Sequence, residues 1–208
     1  MKKLIEIFNV IESYNYRFHF LFMNSLNTKP TIVFDLDETL IHATPIPPYD
    51  LEDNGFFTIL VRRRKFFVQT RPNLFFFLER ISKLFNICIF TSSDQRYANK
   101  IIDKILPNVT KCCRFFRDSC IEMCGYLVKD LNLINTSPKQ VLLVDDSVGS
   151  ALKNPSNLVK IKPWNGEKDD TVLKDLLFIL EKIAFDGDLT QSFYETVKNG
   201  NFEGIGTF

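Results

Sequence analysis

The sequence predicts an α/β fold in which helices flank a parallel sheet. Three short apolar runs, at residues 31–35, 86–91 and 140–146, end in polar residues and show no alternation of apolar and polar side chains. Such runs are typical of parallel strands that are buried on both faces. A fourth run of this kind, at residues 158–162, is predicted to extend the sheet.

Longer segments with helical spacing lie between these strands. Residues 71–85 repeat apolar side chains at helical intervals, with Pro72 near the start, where proline is tolerated. Residues 92–106 begin with Ser and Asp, which cap helices, and end before Pro107. Residues 169–184 are predicted as a third helix. The alternation of strands and helices indicates parallel strands joined by right-handed crossovers.

The segment 43–70 interrupts this alternation. A turn-rich stretch is followed by two β-rich runs on either side of three arginines, which predicts a small β-hairpin insertion after the first core strand. A chain of 208 residues is long enough for one large domain. We expect an N-terminal helical extension at 1–28, a single domain at 29–190 that includes the insertion, and a C-terminal tail at 191–208.

The composition is that of an ordinary globular protein, with 45% hydrophobic and 25% charged residues. A net charge of +1 gives no general attraction for polyanions, so we expect no direct nucleic acid binding. Charged residues interrupt the aromatic N-terminal run, so we expect no membrane span. Five cysteines without a secretory signal indicate reduced thiols in an intracellular protein, nuclear or cytoplasmic. We expect a monomer.

Polar residues at the ends of the predicted strands form the candidate site. Asp35, Thr91 and the pair Asp145 and Asp146 each follow a strand. The carboxyl ends of parallel strands meet at one edge of a sheet, so these side chains are expected to converge. Carboxylates that close together repel each other and require a cation, and their oxygens suit Mg²⁺. The acids therefore predict a Mg²⁺ site, and the metal predicts an anionic substrate.

The spacing of Asp35 and Asp37 suits phosphoryl transfer, because both carboxylates can face the crevice. One carboxylate can attack phosphorus while the other donates a proton to the leaving oxygen and later activates water. The Thr91 hydroxyl and the amides of the following helix can hold phosphoryl oxygens. Lys129 is the candidate for neutralising the remaining charge. Each residue alone has an ordinary structural explanation, but together and in order they favour a reaction centre.

The motifs resemble those of the haloacid-dehalogenase superfamily, in the form typical of phosphatases that act on the RNA polymerase II C-terminal domain. The resemblance covers residues 30–185 and is closest to the small, single-domain members. It implies a Rossmann-like parallel sheet flanked by helices. The matching motifs are DLDETLIH at 35–42, RP at 71–72, IFTSS at 89–93, FRDSC at 116–120, YLVKDL at 126–131, LLVDDS at 142–147 and the segment 161–180.

This resemblance implies catalytic and metal-binding roles. Asp35 would be the nucleophile that forms an aspartyl-phosphate, Asp37 the general acid and base, and Thr39 the residue that orients the Asp37 loop. Mg²⁺ would be held by the Asp35 carboxylate, the Asp37 backbone carbonyl and Asp146, with Asp145 in support. Small members often carry Asn at the position of Asp146, so the extra charge is expected to tighten Mg²⁺ binding or to change its pH dependence.

The resemblance also implies contacts with the substrate. Thr91, Ser92 and Lys129 would bind phosphate, and Arg117 would face a phosphopeptide. The hairpin insertion would shape a pocket beside the phosphoserine, although its apolar residues are equally expected to pack the hairpin onto the domain; these are Phe56, Phe57, Ile59 and Val61. The RRRK stretch at 62–65 is interpreted as a solvated turn, as an electrostatic handle for an acidic or phosphorylated tail, or as a weak nuclear signal.

The leading hypothesis is a Mg²⁺-dependent protein serine/threonine phosphatase with an aspartyl-phosphate intermediate. Its expected substrate is phosphoserine in an extended peptide, such as the RNA polymerase II C-terminal domain. The alternatives are a catalytically silent peptide-binding module of the same fold and a phosphatase of small metabolites. The presence of all six expected catalytic, phosphate-binding and metal-binding residues argues against the silent module; these are Asp35, Asp37, Thr39, Thr91, Lys129 and Asp146. The short insertion argues against a metabolite phosphatase, whose larger cap closes over the site.

Overall fold

The computed structural model describes residues 29–47, 56–107 and 112–207. The strands are β1 (Thr31–Phe34), β2 (Ile41–Thr44), β3 (Phe56–Val61), β4 (Arg64–Thr70), β5 (Asn86–Phe90), β6 (Cys113–Phe115), β7 (Ile121–Met123), β8 (Tyr126–Val128), β9 (Val141–Asp145), β10 (Leu158–Ile161) and β11 (Ile205–Gly206). The helices are α1 (Leu74–Leu84), α2 (Gln95–Ile105), α3 (Val172–Ile183) and α4 (Leu189–Asn199).

A six-stranded sheet with the order β11-β10-β9-β1-β5-β6 forms the centre of the domain. Its neighbours are parallel except for β10 and β11. Successive residues of β1 enter different clusters: Ile32 and Phe34 pack in the larger one, and Val33 packs in the smaller one. Both faces of the central strand are therefore covered, as a continuous apolar run requires. The predicted α/β fold with a parallel sheet flanked by helices is confirmed.

The three predicted helices are present with slightly shorter bounds. Asp94 caps α2, because its side chain accepts a hydrogen bond from the amide of Arg96 at 2.9 Å. The first helix starts after Asn73, whose φ of 66° is left-handed, rather than at the RP pair. Because β5 ends at Phe90 and α2 starts at Gln95, α2 begins at the edge of the sheet where the strands end.

The insertion forms a three-stranded antiparallel sheet with the order β2-β4-β3. The hairpin β3–β4 closes at the pair Val61 and Arg64, with two residues between them. Those residues, Arg62 and Arg63, have φ values of 46° and 69°, as a type I′ turn requires. This turn favours Asn-Gly, and a left-handed conformation costs a residue with a side chain about 1 kcal/mol.

The two ends of the chain were expected to lie outside the domain. Residues 1–28, expected as a helical extension, lie outside the described residues. Residues 191–208 were expected as a tail, but α4 and β11 occupy most of this range, and β11 pairs with the edge strand β10. Leu189 and Phe193 of α4 are buried in the main core, which explains why the folded unit continues. Among the described helices, none is long and apolar enough to cross a membrane.

A buried arginine connects the loop after β1 to the C-terminal part of the domain. Arg71 is 1% exposed. Its guanidinium donates two hydrogen bonds to the carboxylate of Asp170, both of 2.8 Å. It also donates to the backbone carbonyls of Thr39, at 3.1 Å, and of Lys162, at 3.0 Å. A single side chain thus connects two parts of the chain that are distant in sequence, the loop that carries the motif aspartates and the segment from Lys162 to Asp170.

Arg71→Met should destabilise the fold by about 3–5 kcal/mol, because it leaves the buried Asp170 carboxylate without its partner. The matched control is Arg80→Met on α1. Arg80 forms a hydrogen bond of 2.8 Å to Glu181, but its side chain is 48% exposed, so its loss should cost less than about 1 kcal/mol. Urea unfolding of both variants measures the difference. Equal losses of stability in the two variants would contradict a structural role for the Arg71 network.

Candidate active site

The loop after β1 holds the two motif aspartates on either side of a buried leucine. Leu36 has no exposed surface, and its carbonyl accepts hydrogen bonds from the amides of Leu40 and Ile41, at 2.9 and 3.1 Å. Asp35 is fixed to the neighbouring strand, because its amide donates to the carbonyl of Val144 at 2.9 Å. The core thus anchors the loop through Leu36, while the residues on each side of it reach the edge of the sheet.

Lys129, directly after β8, is the buried cation of the site. It is 2% exposed, and its Nζ lies 2.7 Å from Asp35 Oδ1 and 2.6 Å from Asp145 Oδ2. Burial lowers the pKa of Lys129, but the charges of Asp35 and Asp145 outweigh burial and raise it above its usual value. Lys129 is therefore charged. A buried charge of this kind is tolerated only when it is paired, and here it is paired twice.

Three carboxylates gather around this lysine. Oxygens of Asp35, Asp145 and Asp146 all lie within 4.8 Å of one another. Burial raises the pKa of Asp35, and the charge of Asp145 raises it further, although Lys129 opposes both. The pKa of Asp146 is also raised, by burial and then by the charge of Asp145. One lysine does not balance this concentration of negative charge, so the cluster favours a further cation.

The donor atoms fit a divalent cation such as Mg²⁺. Asp35 Oδ1 is buried and is paired with Lys129 at 2.7 Å, which leaves the second carboxylate oxygen of Asp35 to bind an ion. Asp145 uses both oxygens, one for Lys129 and one for the amide of Ser147 at 2.8 Å. Asp35 and Asp146 are therefore better placed than Asp145 to bind an ion. Hard carboxylate oxygens of this kind are what Mg²⁺ prefers.

Asp37 is held apart from this cluster, at the start of α2. Its Oδ2 accepts a hydrogen bond from the Ser93 hydroxyl at 2.7 Å, and its Oδ1 accepts one from the Tyr97 hydroxyl. Burial raises the pKa of Tyr97, and the charge of Asp37 and the hydrogen bond between them raise it further. Tyr97 is therefore a phenol that donates. Ser93 and Tyr97 were not predicted as site residues, although they lie on either side of the helix cap Asp94, four residues apart.

Two predicted threonines lie behind the crevice and not on its surface. Thr91 is 1% exposed, and its hydroxyl accepts a hydrogen bond from the Ser93 amide at 3.0 Å. Thr39 is fully buried; its carbonyl accepts from Arg71, whereas its hydroxyl has no partner among the described residues. Thr39 thus belongs to the loop that carries the motif aspartates, and Thr91 to the turn that holds Ser93. Contact between Thr91 and phosphate stays a prediction.

The crevice itself has a volume of 530 Å³. One wall is the ring of Tyr126, which lies so close to Gly149 that a Cβ there would be 2.0 Å from a ring carbon. Glycine is therefore required at position 149 for this wall to keep its place. The lining residues that the sequence predicted are Asp35, Asp37, Ser92, Lys129, Asp145 and Asp146.

A second cleft of 690 Å³ lies beside the crevice, and Ser93 lines both. Arg117, predicted to face a peptide, lines this cleft. Of the four apolar hairpin residues considered for a pocket, Val61 lines it. Phe57 and Ile59 pack into the core, and Phe56 stacks on Phe67 with ring centroids 5.9 Å apart. Val61 thus fits the expected pocket, and Phe57 and Ile59 fit the expected packing of the hairpin onto the domain.

Curated relatives are similar over most of the chain. CTD nuclear envelope phosphatase 1 of Xenopus laevis is 31% identical over 170 residues, which are 77% of this chain and 70% of the relative. Carboxy-terminal domain RNA polymerase II polypeptide A small phosphatase 1 of Homo sapiens is 34% identical, over 75% of this chain and 60% of the relative. CTD small phosphatase-like protein 3 of Caenorhabditis elegans is 36% identical, over 74% of this chain. The chain spans 54% of that relative's length.

The fold is similar to that of a solved phosphatase. A structure of fission yeast RNA polymerase II CTD phosphatase Fcp1 bound to beryllium fluoride superposes with a TM-score of 0.55 and 19% identity, covering 91% of this chain and 65% of that chain. At this identity the likeness concerns the fold alone.

The family model of the NLI interacting factor-like phosphatases matches residues 30–190 of this chain. The expected class of enzyme, a phosphoprotein phosphatase, is confirmed, and the chain belongs to the NLI interacting factor-like phosphatase family.

Proposed function

We propose that this chain is a Mg²⁺-dependent protein serine/threonine phosphatase that acts through an aspartyl-phosphate. The observation that supports this most directly is the separation of two carboxylates of one loop. Asp35 is buried beside Lys129 in an acidic cluster, whereas Asp37 is held by Ser93 and Tyr97. The two carboxylates thus have different surroundings, as a nucleophile and a general acid require.

In this mechanism Asp35 attacks the phosphorus atom and forms a covalent aspartyl-phosphate while the seryl oxygen leaves. Asp37 donates a proton to that oxygen and then removes one from the water that attacks the intermediate. Lys129 stabilises negative charge on the transferring phosphoryl group. Mg²⁺, held by Asp35, Asp146 and the Asp37 carbonyl, would screen the repulsion between the phosphate and the acidic cluster. Tyr97 and Ser93 orient Asp37 towards the leaving group.

The shape of the site favours a peptide over a small metabolite. The crevice shares Ser93 with a second cleft beside it, so an extended chain has room on at least one side of a phosphoserine. The relatives named above are phosphatases whose names refer to the CTD, and we propose the RNA polymerase II C-terminal domain as a substrate. We further propose an intracellular protein whose domain starts near residue 29 and includes β11.

Asp35→Asn should lower turnover by about a thousandfold or more, because an amide of the same shape is a poor nucleophile. The measurement is phosphate release from a diphosphorylated heptad-repeat peptide and from p-nitrophenyl phosphate, with Mg²⁺ and with EDTA. The control is Asp118→Asn, which changes an exposed carboxylate and should leave turnover unchanged. If the folded wild-type protein hydrolyses neither compound, the result would favour the peptide-binding module. If it hydrolyses sugar phosphates faster than peptides, the result would favour a metabolite phosphatase.

Asp37→Asn should allow the first step on p-nitrophenyl phosphate, whose leaving group needs little protonation, and block the second, which needs a base. A burst of nitrophenol close to the enzyme concentration is therefore expected, followed by slow release of phosphate. Intact-mass spectrometry after acid quenching should show the covalent phosphate. Steady release at the wild-type rate would exclude Asp37 as the base.

Asp146→Asn should raise the Mg²⁺ concentration for half-maximal activity by about tenfold, because the site loses one negative charge while keeping an oxygen ligand. A Mg²⁺ titration of p-nitrophenyl phosphate turnover measures this shift, again with Asp118→Asn as the control. An unchanged midpoint would show that Asp146 does not contribute to metal binding.

A further inference from the structure

The cleft beside the crevice is basic. Three arginines line it, Arg62, Arg64 and Arg117, against one acid, Asp94, so its lining carries two net positive charges. Its apolar part consists of Ala43, Val61, Phe66 and Tyr97. An apolar surface edged by guanidinium groups suits a peptide segment that carries a negative group. The peptide can pack on the apolar residues while its negative group pairs with the guanidinium groups.

The crevice has the opposite charge. Its lining includes five carboxylates, from Asp35, Asp37, Glu38, Asp145 and Asp146, and a single lysine. A substrate with two negative groups therefore meets an acidic and a basic surface side by side. The scissile phosphoryl group requires the cation, whereas a second negative group close to it is attracted only towards the basic cleft.

Two of these arginines come from the hairpin, and one of them, Arg62, lies in its turn at a conformational cost. Arg62 and Arg63 form the tight turn and have left-handed φ values, which Asn and Gly adopt more easily, and Arg64 begins the strand that follows. The hairpin is fixed to α2, since the ring of Phe66 packs edge-on against Tyr97 with centroids 5.5 Å apart. Tyr97 in turn bonds Asp37. The turn arginines are thus held next to the residues that orient the general acid.

The guanidinium groups are available for a ligand. Arg62 lies 3.7 Å from Asp94, with side chains 67% and 54% exposed, and an exposed ion pair of this kind contributes little and exchanges readily. In the part of the chain that the structure describes, Arg64 and Arg117 form no ion pair. Charge complementarity therefore points to an anionic occupant for this cleft.

We propose that Arg62 and Arg64 form an anionic subsite that selects phosphopeptides with a second acidic group near the scissile phosphoserine. The group is a phosphoryl or a carboxylate on one side of the phosphoserine, the side that extends over Ser93 into the cleft. This inference rests on the proposed phosphatase function and names its substrate class, a multiply acidic peptide.

The test uses peptides with one phosphoserine in an uncharged background, and the same peptides with glutamate or a second phosphoserine two to five residues away on either side. The wild-type chain should show kcat/KM about tenfold higher for the best acidic peptide than for the neutral one. The double variant Arg62→Gln/Arg64→Gln should lower this ratio to about one. The preference should also weaken as salt is raised, because the subsite is exposed.

Arg63→Gln is the control for a general charge effect, because it removes one positive charge from the same turn but Arg63 does not line the cleft. It should keep the preference for acidic peptides. A ratio that falls equally in Arg63→Gln and in the double variant would replace the subsite with a general electrostatic effect. A wild-type chain that hydrolyses all peptides equally would overturn the inference alone, whereas one that hydrolyses neither peptides nor p-nitrophenyl phosphate would overturn the proposed function.

Discussion

The buried contact of Lys129 with Asp35 and Asp145 is the interaction on which the site depends. Asp35 and Asp145 end neighbouring strands of the sheet, and the register of β1 with β9 brings them together. Without Lys129 their charges would oppose that register, and without the two acids a lysine 2% exposed would be untenable. The sheet therefore creates the cluster, and the lysine makes the cluster compatible with a folded protein.

The other aspartate of the loop is controlled by a different part of the structure. Asp37 belongs to the same loop as Asp35, but its partners lie on the far side of the crevice, at the start of α2. Leu36, buried between them, anchors the loop in the core. Arg71 stabilises the end of this loop from beneath, through the carbonyl of Thr39. The chemistry of the site thus depends on core packing as much as on the acids themselves.

The features that local sequence determines could be predicted. The strands β1, β5 and β9 are continuous apolar runs that end in polar residues, and the rule for parallel sheets is sufficient to bring Asp35, Asp145 and Asp146 to one edge. The same holds for α2, whose Asp94 cap is visible in the sequence. These features require only neighbouring residues and one general rule of topology.

Contacts between distant residues could not be predicted in this way. Tyr97 and Asp37 are 60 positions apart, and Arg71 and Asp170 are 99 apart. An arginine next to a proline, or a tyrosine on an amphipathic helix, has no local signal that shows which carboxylate it will meet. The helix and strand within residues 191–208 were not predicted for a related reason, since the apolar stripe of α4 is short and β11 has only two residues.

The hairpin turn shows how a local cost can indicate function. Two arginines in left-handed positions are unfavourable for the turn itself, and a sequence optimised for the hairpin alone would place Asn-Gly there. One of them, Arg62, lines the cleft with net positive charge that adjoins the crevice with net negative charge, so its presence in the turn has a direct electrostatic explanation. In the proposed function, a phosphorylated peptide that spans both surfaces would be bound through the metal and Lys129 at one end and by guanidinium groups at the other. Neither surface alone would fix the direction of the chain, but the pair of opposite charges does.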